Sequence, residues 1–266
     1  MNTLHGVTKA LARGASSLGV GAALLWLGAS AGAAAAPGGR VTVLAAASSQ
    51  AAVKEAARLF SAETGITVEC SFGGTGALLN QIRLEHFGDV YITASGDFMD
   101  TAEKEQLVDP ASRRVLCWLT PVICVAKGNP KQIKTLGDLA QPGLRVALAD
   151  PKTATVGIIA KAAMDKAGVY DAVRKRIVTF TKDVQQAVSL MRLKEVDATV
   201  AYDVNQRQSA ADMDAIPFDG ATPIDQPAAV VSFSKQKGQA RRFVEYLAGP
   251  RGREVFLRHG YTVDKP

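Results

Sequence analysis

Hydroxyl side chains follow two apolar stretches of the chain, where each stretch gives way to a helical pattern. Residues 41–47 form an apolar, strand-like run that ends at Ser48 and Ser49. A second run, residues 66–72, leads into a glycine-rich loop that contains Thr75. A strand that ends in a hydroxyl before a helix leaves the first N–H groups of that helix free for an anion. The two strand ends therefore predict a binding site for a small oxyanion.

Sequence motifs of catalytic and metal sites are missing from the chain. There is no Gly-x-x-x-x-Gly-Lys-Ser/Thr loop, no His-Glu-x-x-His and no Cys-x-x-Cys. His86 and His259 lie at charged helix ends, where a solvated role or a helix C-terminal charge is expected. A hydrolase that used Ser48 or Ser49 would need a nearby base that the sequence does not place. We therefore expect a binding protein, with no catalytic residue, no cofactor and no metal ligand.

The first 36 residues have the pattern of a targeting segment. Lys9 and Arg13 precede an apolar run, residues 18–27, that is too short to span a bilayer, and small residues follow over 28–36. This order predicts a cleavable signal peptide over residues 1–36 and a soluble periplasmic protein. An uncleaved membrane anchor is the alternative. No cysteine lies near the cleavage region to carry a lipid anchor.

The chain carries a mild positive charge. Its formal net charge of +6 falls to +4 once Lys9 and Arg13 are removed with the targeting segment, which contains no acidic residue. The positive residues are mixed with acidic ones, as in residues 192–197, which is typical of a solvated surface and not of a nucleic-acid footprint. We expect a weak general attraction for anions and no nucleic-acid partner.

An odd number of cysteines leaves at least one of them unpaired in an oxidising compartment. Cys70, Cys117 and Cys124 lie in or beside apolar, strand-like runs. That setting favours three buried small side chains. A disulfide between Cys117 and Cys124 stays open at this point, because it requires the two strands to pair closely.

Strand-like runs alternate with helical patterns along the rest of the chain. This order is typical of parallel sheets covered by helices. The pattern breaks near Pro121 and again over residues 217–227, which are rich in Gly, Pro and Asp. We therefore predict an α/β fold of two lobes, each a mostly parallel sheet flanked by helices, with the ligand in the cleft between them. Lobe one would comprise residues 37–120 and 228–266, and lobe two residues 121–227.

Seven groups of short segments occur in order along the chain. They are Ala45-Ala-Ala-Ser48, Phe72-Gly-Gly-Thr75, Gly88-Asp-Val-Tyr-Ile-Thr-Ala-Ser95, Ala149-Asp-Pro151 with Val156-Gly157, Asp183-Val184, Val200-Ala-Tyr202, and Tyr246-Leu-Ala-Gly-Pro250 with Phe256 and Gly260-Tyr261. No single segment is specific, but the set, which extends over residues 41–263, resembles the periplasmic molybdate-binding proteins of ABC importers. The resemblance implies the periplasmic-binding-protein fold.

The resemblance also implies a set of ligands. A tetrahedral dianion would be held by neutral donors, without a Lys or Arg contact and without metal. Ser48 and Thr75 would donate hydroxyls from lobe one. Val156 and Val184 would donate backbone N–H groups, and Tyr202 its phenol, from lobe two. Donors alone suit an anion that is fully deprotonated at neutral pH. Taken singly, each of the three side chains also has an ordinary interpretation, as an N-cap, a turn hydroxyl or a strand-end aromatic.

The function implied by the resemblance is capture of molybdate, or of tungstate with its similar size and charge, for delivery to an ABC importer permease in the inner membrane. We expect the protein to act as a monomer. Two alternatives stay open: a receptor of the same fold for sulfate, phosphate or another small anion, and an enzyme built on this fold. The glycine-rich loop at residues 73–76 and Asp203 keep the first alternative open. A carboxylate that faced the cleft would favour a protonated anion. Strand alternation places residues 202 and 203 on opposite faces.

Overall fold

The structure is a computed structural model that describes residues 39–266. The signal peptide predicted over residues 1–36 lies outside the described residues. The strands are β1 (Arg40–Ala46), β2 (Thr67–Gly73), β3 (Val90–Ile92), β4 (Val108–Leu119), β5 (Pro121–Ala126), β6 (Val146–Ala149), β7 (Ile177–Thr181), β8 (Ala198–Tyr202), β9 (Met213–Ile216) and β10 (Ile224–Val231). The helices are α1 (Gln50–Thr64), α2 (Thr75–Glu85), α3 (Gly96–Lys104), α4 (Thr155–Lys166), α5 (Tyr170–Arg174), α6 (Val184–Arg192), α7 (Asp203–Gln208), α8 (Lys237–Ala248) and α9 (Pro250–Arg258).

The strands form two five-stranded sheets. The first has the order β2-β1-β3-β10-β4 and the second the order β7-β6-β8-β5-β9. In the first sheet β1 pairs in parallel with β2 and β3, whereas β10 pairs antiparallel with β3 and β4. In the second, β6 pairs in parallel with β7 and β8, and β5 pairs antiparallel with β8 and β9. The predicted α/β fold with two helix-flanked sheets is confirmed, and each sheet is mixed.

The chain passes from one sheet to the other between β4 and β5 and again between β9 and β10, and these strands pair antiparallel with their neighbours. A single residue, Thr120, separates β4 in the first sheet from β5 in the second. The chain returns between Ile216 and Ile224, so β10 re-enters the first sheet from the opposite direction. These positions agree with the breaks seen in the sequence. The assignment of residues 37–120 with 228–266 and of residues 121–227 to two lobes stays a prediction.

Strand β10 begins at Ile224, within the stretch 217–227 where the sequence pattern breaks. Pro227 made the sequence look like a linker there, because proline cannot donate a hydrogen bond within a sheet. The strand accommodates it at an irregularity, since the register against β4 shifts between Gln226 and Pro227. Gln226 consequently lies in the sheet and is fully buried.

Helix α1 shows how the apolar pattern fixes the packing. Its buried residues include Val53, Ala56, Ala57 and Phe60, which recur at helical spacing and form one apolar face. The Phe60 ring packs edge to face on Phe243 of α8, with 5.1 Å between the ring centroids. Helix α1 thereby lies against the first sheet and presents its N-terminus, just after Ser48 and Ser49, at the end of β1.

No helix among residues 39–266 is long and apolar enough to cross a membrane.

Candidate functional site

A small cavity of about 20 Å³ lies where the carboxyl ends of six strands meet. The turns after β1, β2 and β3 border it from the first sheet, and the turns after β6, β7 and β8 from the second. The five residues predicted from the sequence all line this cavity: Ser48, Thr75, Val156, Val184 and Tyr202. The structure thus brings them together, and their contact with a ligand stays a prediction.

Ser48 lies in a short 3-10 turn, Ala47–Ser49, that follows β1 and precedes α1. Its side-chain oxygen accepts a hydrogen bond from Gln226 Nε2 at 2.9 Å. Its carbonyl oxygen accepts one from the Tyr261 hydroxyl. Because the Ser48 hydroxyl already accepts a bond from the protein, its own proton is available to a ligand.

Gln226 is itself held by a second bond, since its Oε1 accepts from Cys117 Sγ at 3.2 Å. All three side chains in this chain of hydrogen bonds are buried. Burial raises the pKa of the Cys117 thiol well above its usual value, so the sulfur keeps its proton and acts as the donor. The neighbouring Ser49 differs, because its hydroxyl donates to Ala46 O at 2.9 Å and serves the turn alone.

Thr75 is the first residue of α2, and its side chain is buried beneath the cavity. Its Oγ1 accepts a hydrogen bond from the backbone N–H of Ala94 at 3.2 Å. Its carbonyl accepts from the Tyr91 hydroxyl at 2.9 Å. The Thr75 hydroxyl therefore has the same arrangement as that of Ser48, with the oxygen engaged by the protein and the proton available.

The glycines around Thr75 allow loops of the two sheets to touch. The Gly76 N–H donates to Thr153 O, in the turn before α4, at 2.9 Å. A Cβ added to Gly74 would lie 2.8 Å from both Lys182 O and Thr153 O. Only glycine permits this backbone-to-backbone approach. The glycine-rich loop therefore closes one side of the cavity.

Val156 is placed by the close packing of α4 on β6. It is the second residue of α4, and the first four N–H groups of a helix have no partner within it. A Cβ on the next residue, Gly157, would lie 2.1 Å from Ala149 O at the end of β6. The glycine lets the start of the helix approach the strand end, which brings the Val156 backbone to the cavity.

Val184 is placed by a capped helix start. Asp183 is the N-cap of α6, and its Oδ1 accepts from the Gln186 N–H at 3.0 Å. The Asp183 carbonyl accepts from Thr181 Oγ1 at 2.8 Å. The cap satisfies Gln186 and leaves the N–H of Val184, the first helical residue, as a donor at the cavity wall.

Tyr202 ends β8 and is almost completely buried. Its phenol oxygen is one of the buried polar atoms that have no hydrogen-bond partner within residues 39–266. Burial raises the pKa of this phenol above its ordinary value, so the group is a protonated donor at neutral pH. An unpartnered buried hydroxyl at a cavity wall is suited to an incoming acceptor.

Asp203 is turned to other partners. Its Oδ1 accepts from the N–H groups of Thr120 at 3.1 Å and Val204 at 2.8 Å. Its Oδ2 pairs with Arg207 at 2.8 Å. Asp203 is not among the residues that line the cavity. Its carboxylate therefore does not supply the acceptor that would favour a protonated anion.

Two polar residues of this region were not singled out in the sequence. Thr155, the first residue of α4, lines the cavity and has a buried Oγ1 without a partner. The sequence feature that could have indicated Thr155 is its hydroxyl at the start of an otherwise apolar helical run. Gln226 is 178 positions from Ser48 along the chain. The sequence feature that could have indicated it is a polar residue shortly before the apolar run 228–231, but it lies in the stretch where the strand and helix pattern breaks.

The thiols and carboxylates of residues 39–266 do not lie in the grouping that a metal site requires. In the part of the chain that the structure describes, no group of three or more His, Cys, Asp or Glu side chains is arranged to hold a metal ion. The three cysteines there are free. Cys117 and Cys124 are buried as expected, whereas Cys70, on the edge strand β2, is half-buried. Burial raises the pKa of Cys124 to about 12 and that of Cys70 to about 11.

Known proteins are similar to this chain in sequence and in fold. The family model described as bacterial extracellular solute-binding protein matches residues 41–262. The molybdate-binding protein ModA of Escherichia coli (strain K12) is 30% identical over 260 residues, which cover 95% of this chain and 100% of that protein.

Two solved structures show the same fold. The periplasmic molybdate-binding protein of Azotobacter vinelandii has a TM-score of 0.73 at 21% identity, over 85% of this chain and 100% of that one. The sulfate-binding protein SubI of Mycobacterium tuberculosis H37Rv has a TM-score of 0.74 at 18% identity, over 85% of this chain and 88% of that one. The resemblance to molybdate-binding proteins is confirmed. The chain therefore belongs to the bacterial extracellular solute-binding protein family, and its role is that of a solute-binding protein and not of an enzyme.

Proposed function

We propose that this protein binds molybdate, and tungstate in the same way, in the cavity between the strand ends. The observation that carries the proposal is the convergence of neutral donors on one small cavity, including a buried phenol, Tyr202, that has no partner of its own. The Ser48 and Thr75 hydroxyls would donate from one side. The Val156 and Val184 N–H groups and the Tyr202 phenol would donate from the other.

The chemistry of this donor set favours a fully deprotonated tetrahedral anion. The hydroxyls of Ser48 and Thr75 have their oxygens engaged by Gln226 and Ala94, so they present protons to the cavity. No Lys or Arg side chain of the described residues lines the cavity. A site without cations leaves no buried charge unpaired when it is empty. The anion is then held by directed hydrogen bonds, each strengthened by its charge.

The similarity to ModA of Escherichia coli supports molybdate in particular, because that protein is a molybdate-binding protein and matches this chain over nearly its full length. In the proposed role the protein is exported by a cleaved signal peptide and acts as a monomer in the periplasm. It captures the anion there and delivers it to the permease of an ABC importer. Sulfate is the rival ligand, since it has the same shape and charge in a smaller anion.

A ligand screen on residues 37–266 tests the proposal. Thermal unfolding would be followed with molybdate, tungstate, sulfate, phosphate, thiosulfate and small carboxylates, and the active anions then titrated by calorimetry. We expect one molybdate per chain and, at ~100 times Kd, a gain of about 2.7 kcal/mol in the free energy of unfolding. Sulfate is expected to give a smaller gain, because a smaller anion cannot reach every donor at once. Equal gains with sulfate and molybdate would contradict selection by size, and no gain with any oxyanion would overturn the proposed function.

A further inference from the structure

Unpartnered hydroxyls are concentrated at the cavity. Across residues 39–266, four buried side-chain polar atoms have no hydrogen-bond partner: Thr155 Oγ1, Tyr202 OH, Asn205 Nδ2 and Tyr246 OH. Thr155 and Tyr202 both line the same cavity of about 20 Å³. Buried polar groups in folded proteins are almost always satisfied, so two unsatisfied hydroxyls at one small cavity point to a missing acceptor.

The Thr155 hydroxyl does not cap its own helix and makes no hydrogen bond to the residues that the structure describes. Thr155 is the first residue of α4, but the N-cap is Ala154 and no side chain caps this helix. The residue is 5% exposed, and its Oγ1 is buried without a partner among residues 39–266. The helix runs for 12 residues, and its first turn also contains Val156, one of the proposed backbone donors. Thr155 and Val156 therefore line the cavity from the same helical turn.

We propose that Thr155 Oγ1 is a direct ligand of the bound oxyanion, a donor in addition to the five already named. This proposal rests on the proposed function, because it needs an oxyanion in the cavity. A tetrahedral oxyanion has four oxygens, each able to accept more than one hydrogen bond, so a sixth donor does not exceed its capacity. The same anion then accepts a hydrogen bond from Thr155 and one from Tyr202, so that both hydroxyls have a partner.

Substitutions at Thr155 separate a ligand from a structural residue, with molybdate as the probe. Thr155→Val removes the hydroxyl and keeps the branched shape, and Thr155→Ser keeps the hydroxyl. By calorimetry we expect Thr155→Val to bind molybdate about 10- to 100-fold more weakly, as for a hydrogen bond to a charged partner, and Thr155→Ser to stay within about threefold of the parent. Thr153→Val, in the same turn but outside the cavity lining, is the matched control and is expected to bind like the parent.

Stability of the empty protein supplies the second readout. Replacing a buried, unpartnered hydroxyl by a methyl removes an unsatisfied group, so the unfolding temperature of ligand-free Thr155→Val is expected to equal or exceed that of the parent. Parent-like molybdate affinity in Thr155→Val would overturn the proposal, and so would weaker binding accompanied by a lower unfolding temperature. If the parent itself binds no oxyanion, the proposed function fails and this proposal with it, which is a different result from equal binding by parent and variant.

Discussion

At the scale of single residues, the orientation of a hydroxyl decides whether it can hold an anion. The oxygens of Ser48 and Thr75 each already accept one hydrogen bond, from Gln226 Nε2 and from the Ala94 N–H, which leaves each hydroxyl proton free to donate. A hydroxyl without such a partner has both lone pairs free to accept from a protonated anion. The protein groups behind the site therefore contribute to its preference for deprotonated anions.

Removal of the Ser48 hydroxyl tests this arrangement. Ser48→Ala is expected to weaken molybdate binding by about 1.5–3 kcal/mol, measured by calorimetry. The empty variant is expected to lose about 1–3 kcal/mol of unfolding free energy, because Gln226 Nε2 is left without its acceptor. Ser49→Ala is the control, since that hydroxyl donates to Ala46 O and does not line the cavity. Equal affinity in the Ser48 and Ser49 variants would show that neither hydroxyl touches the anion.

A carboxyl group in place of the Gln226 amide makes binding depend on pH. In Gln226→Glu burial raises the pKa of the new carboxyl above its usual value of about 4.3. Below that pKa the neutral acid can donate to Ser48 Oγ as the amide does. Above it the carboxylate accepts a hydrogen bond from the Ser48 hydroxyl, which turns that proton away from the cavity, and its negative charge repels the anion. We expect molybdate affinity and apo stability of the variant to fall together as pH rises from about 5 to about 8.

The parent provides the reference for this pH series, and Gln226→Met provides a variant that removes the amide without adding a titrating group. Both are expected to keep a constant affinity over the same range, with Gln226→Met uniformly weaker than the parent. A flat profile for Gln226→Glu would mean that the side chain at this position does not orient Ser48.

At the scale of elements, the glycine-rich turn between β2 and α2 is a contact between the two sheets. Gly74→Ala places a Cβ where Lys182 O and Thr153 O lie 2.8 Å away. We expect it to lower molybdate affinity by about 1–3 kcal/mol, the usual cost of overpacking, because the loops cannot approach fully. Gly73→Ala is the control, since its Cβ would meet only the Leu78 side chain at 3.5 Å. The same affinity for both variants in calorimetry would contradict this role of Gly74.

The elements were largely predictable from the sequence because their signals are local. The apolar spacing of α1 and its end at Gly65, whose φ of 72° is left-handed, follow from patterns within a few residues. The crossing near Pro121 was visible for the same reason. The antiparallel entry of β10 was not, because it depends on strand pairing between distant segments.

Site residues divide in the same way. Ser48 and Tyr202 stand at strand ends, where a side chain is visible in the sequence. Val156 and Val184 would act through backbone groups that leave no mark on residue type, so only the family resemblance pointed to them. Thr155 and Gln226 were missed because their importance lies in having, or lacking, a partner in three dimensions.

At the scale of the whole molecule, the proposed donors come from both sheets. The anion can contact all of them only while the strand ends of the two sheets lie on either side of it. Tyr202→Phe tests this dependence, because it removes one donor of the second sheet and keeps the ring. We expect about 1.5–3 kcal/mol of lost affinity, expressed mainly as faster release of molybdate, with apo stability not lowered. Rapid-mixing kinetics and thermal unfolding measure the two quantities. Normal affinity in Tyr202→Phe would make the phenol part of the structural background.

Small-angle scattering follows the same event in the parent. If the anion draws the two halves of the site together, the radius of gyration falls as molybdate is added, and Tyr202→Phe needs more molybdate to reach the same value. Sodium chloride at matched ionic strength is the control for general charge effects. A radius of gyration that stays constant at saturating molybdate would contradict closure on binding.

The central claim is that one oxyanion binds among the donors at the strand ends, and anomalous X-ray diffraction at the molybdenum absorption edge tests it most directly. Crystals of residues 37–266 grown with molybdate would be measured on both sides of the edge. We predict a single molybdenum peak per chain in the cavity, with oxygens within roughly 3 Å of the Ser48, Thr75 and Tyr202 hydroxyls. A molybdenum peak elsewhere on the molecule, with the cavity empty of it, would contradict the account.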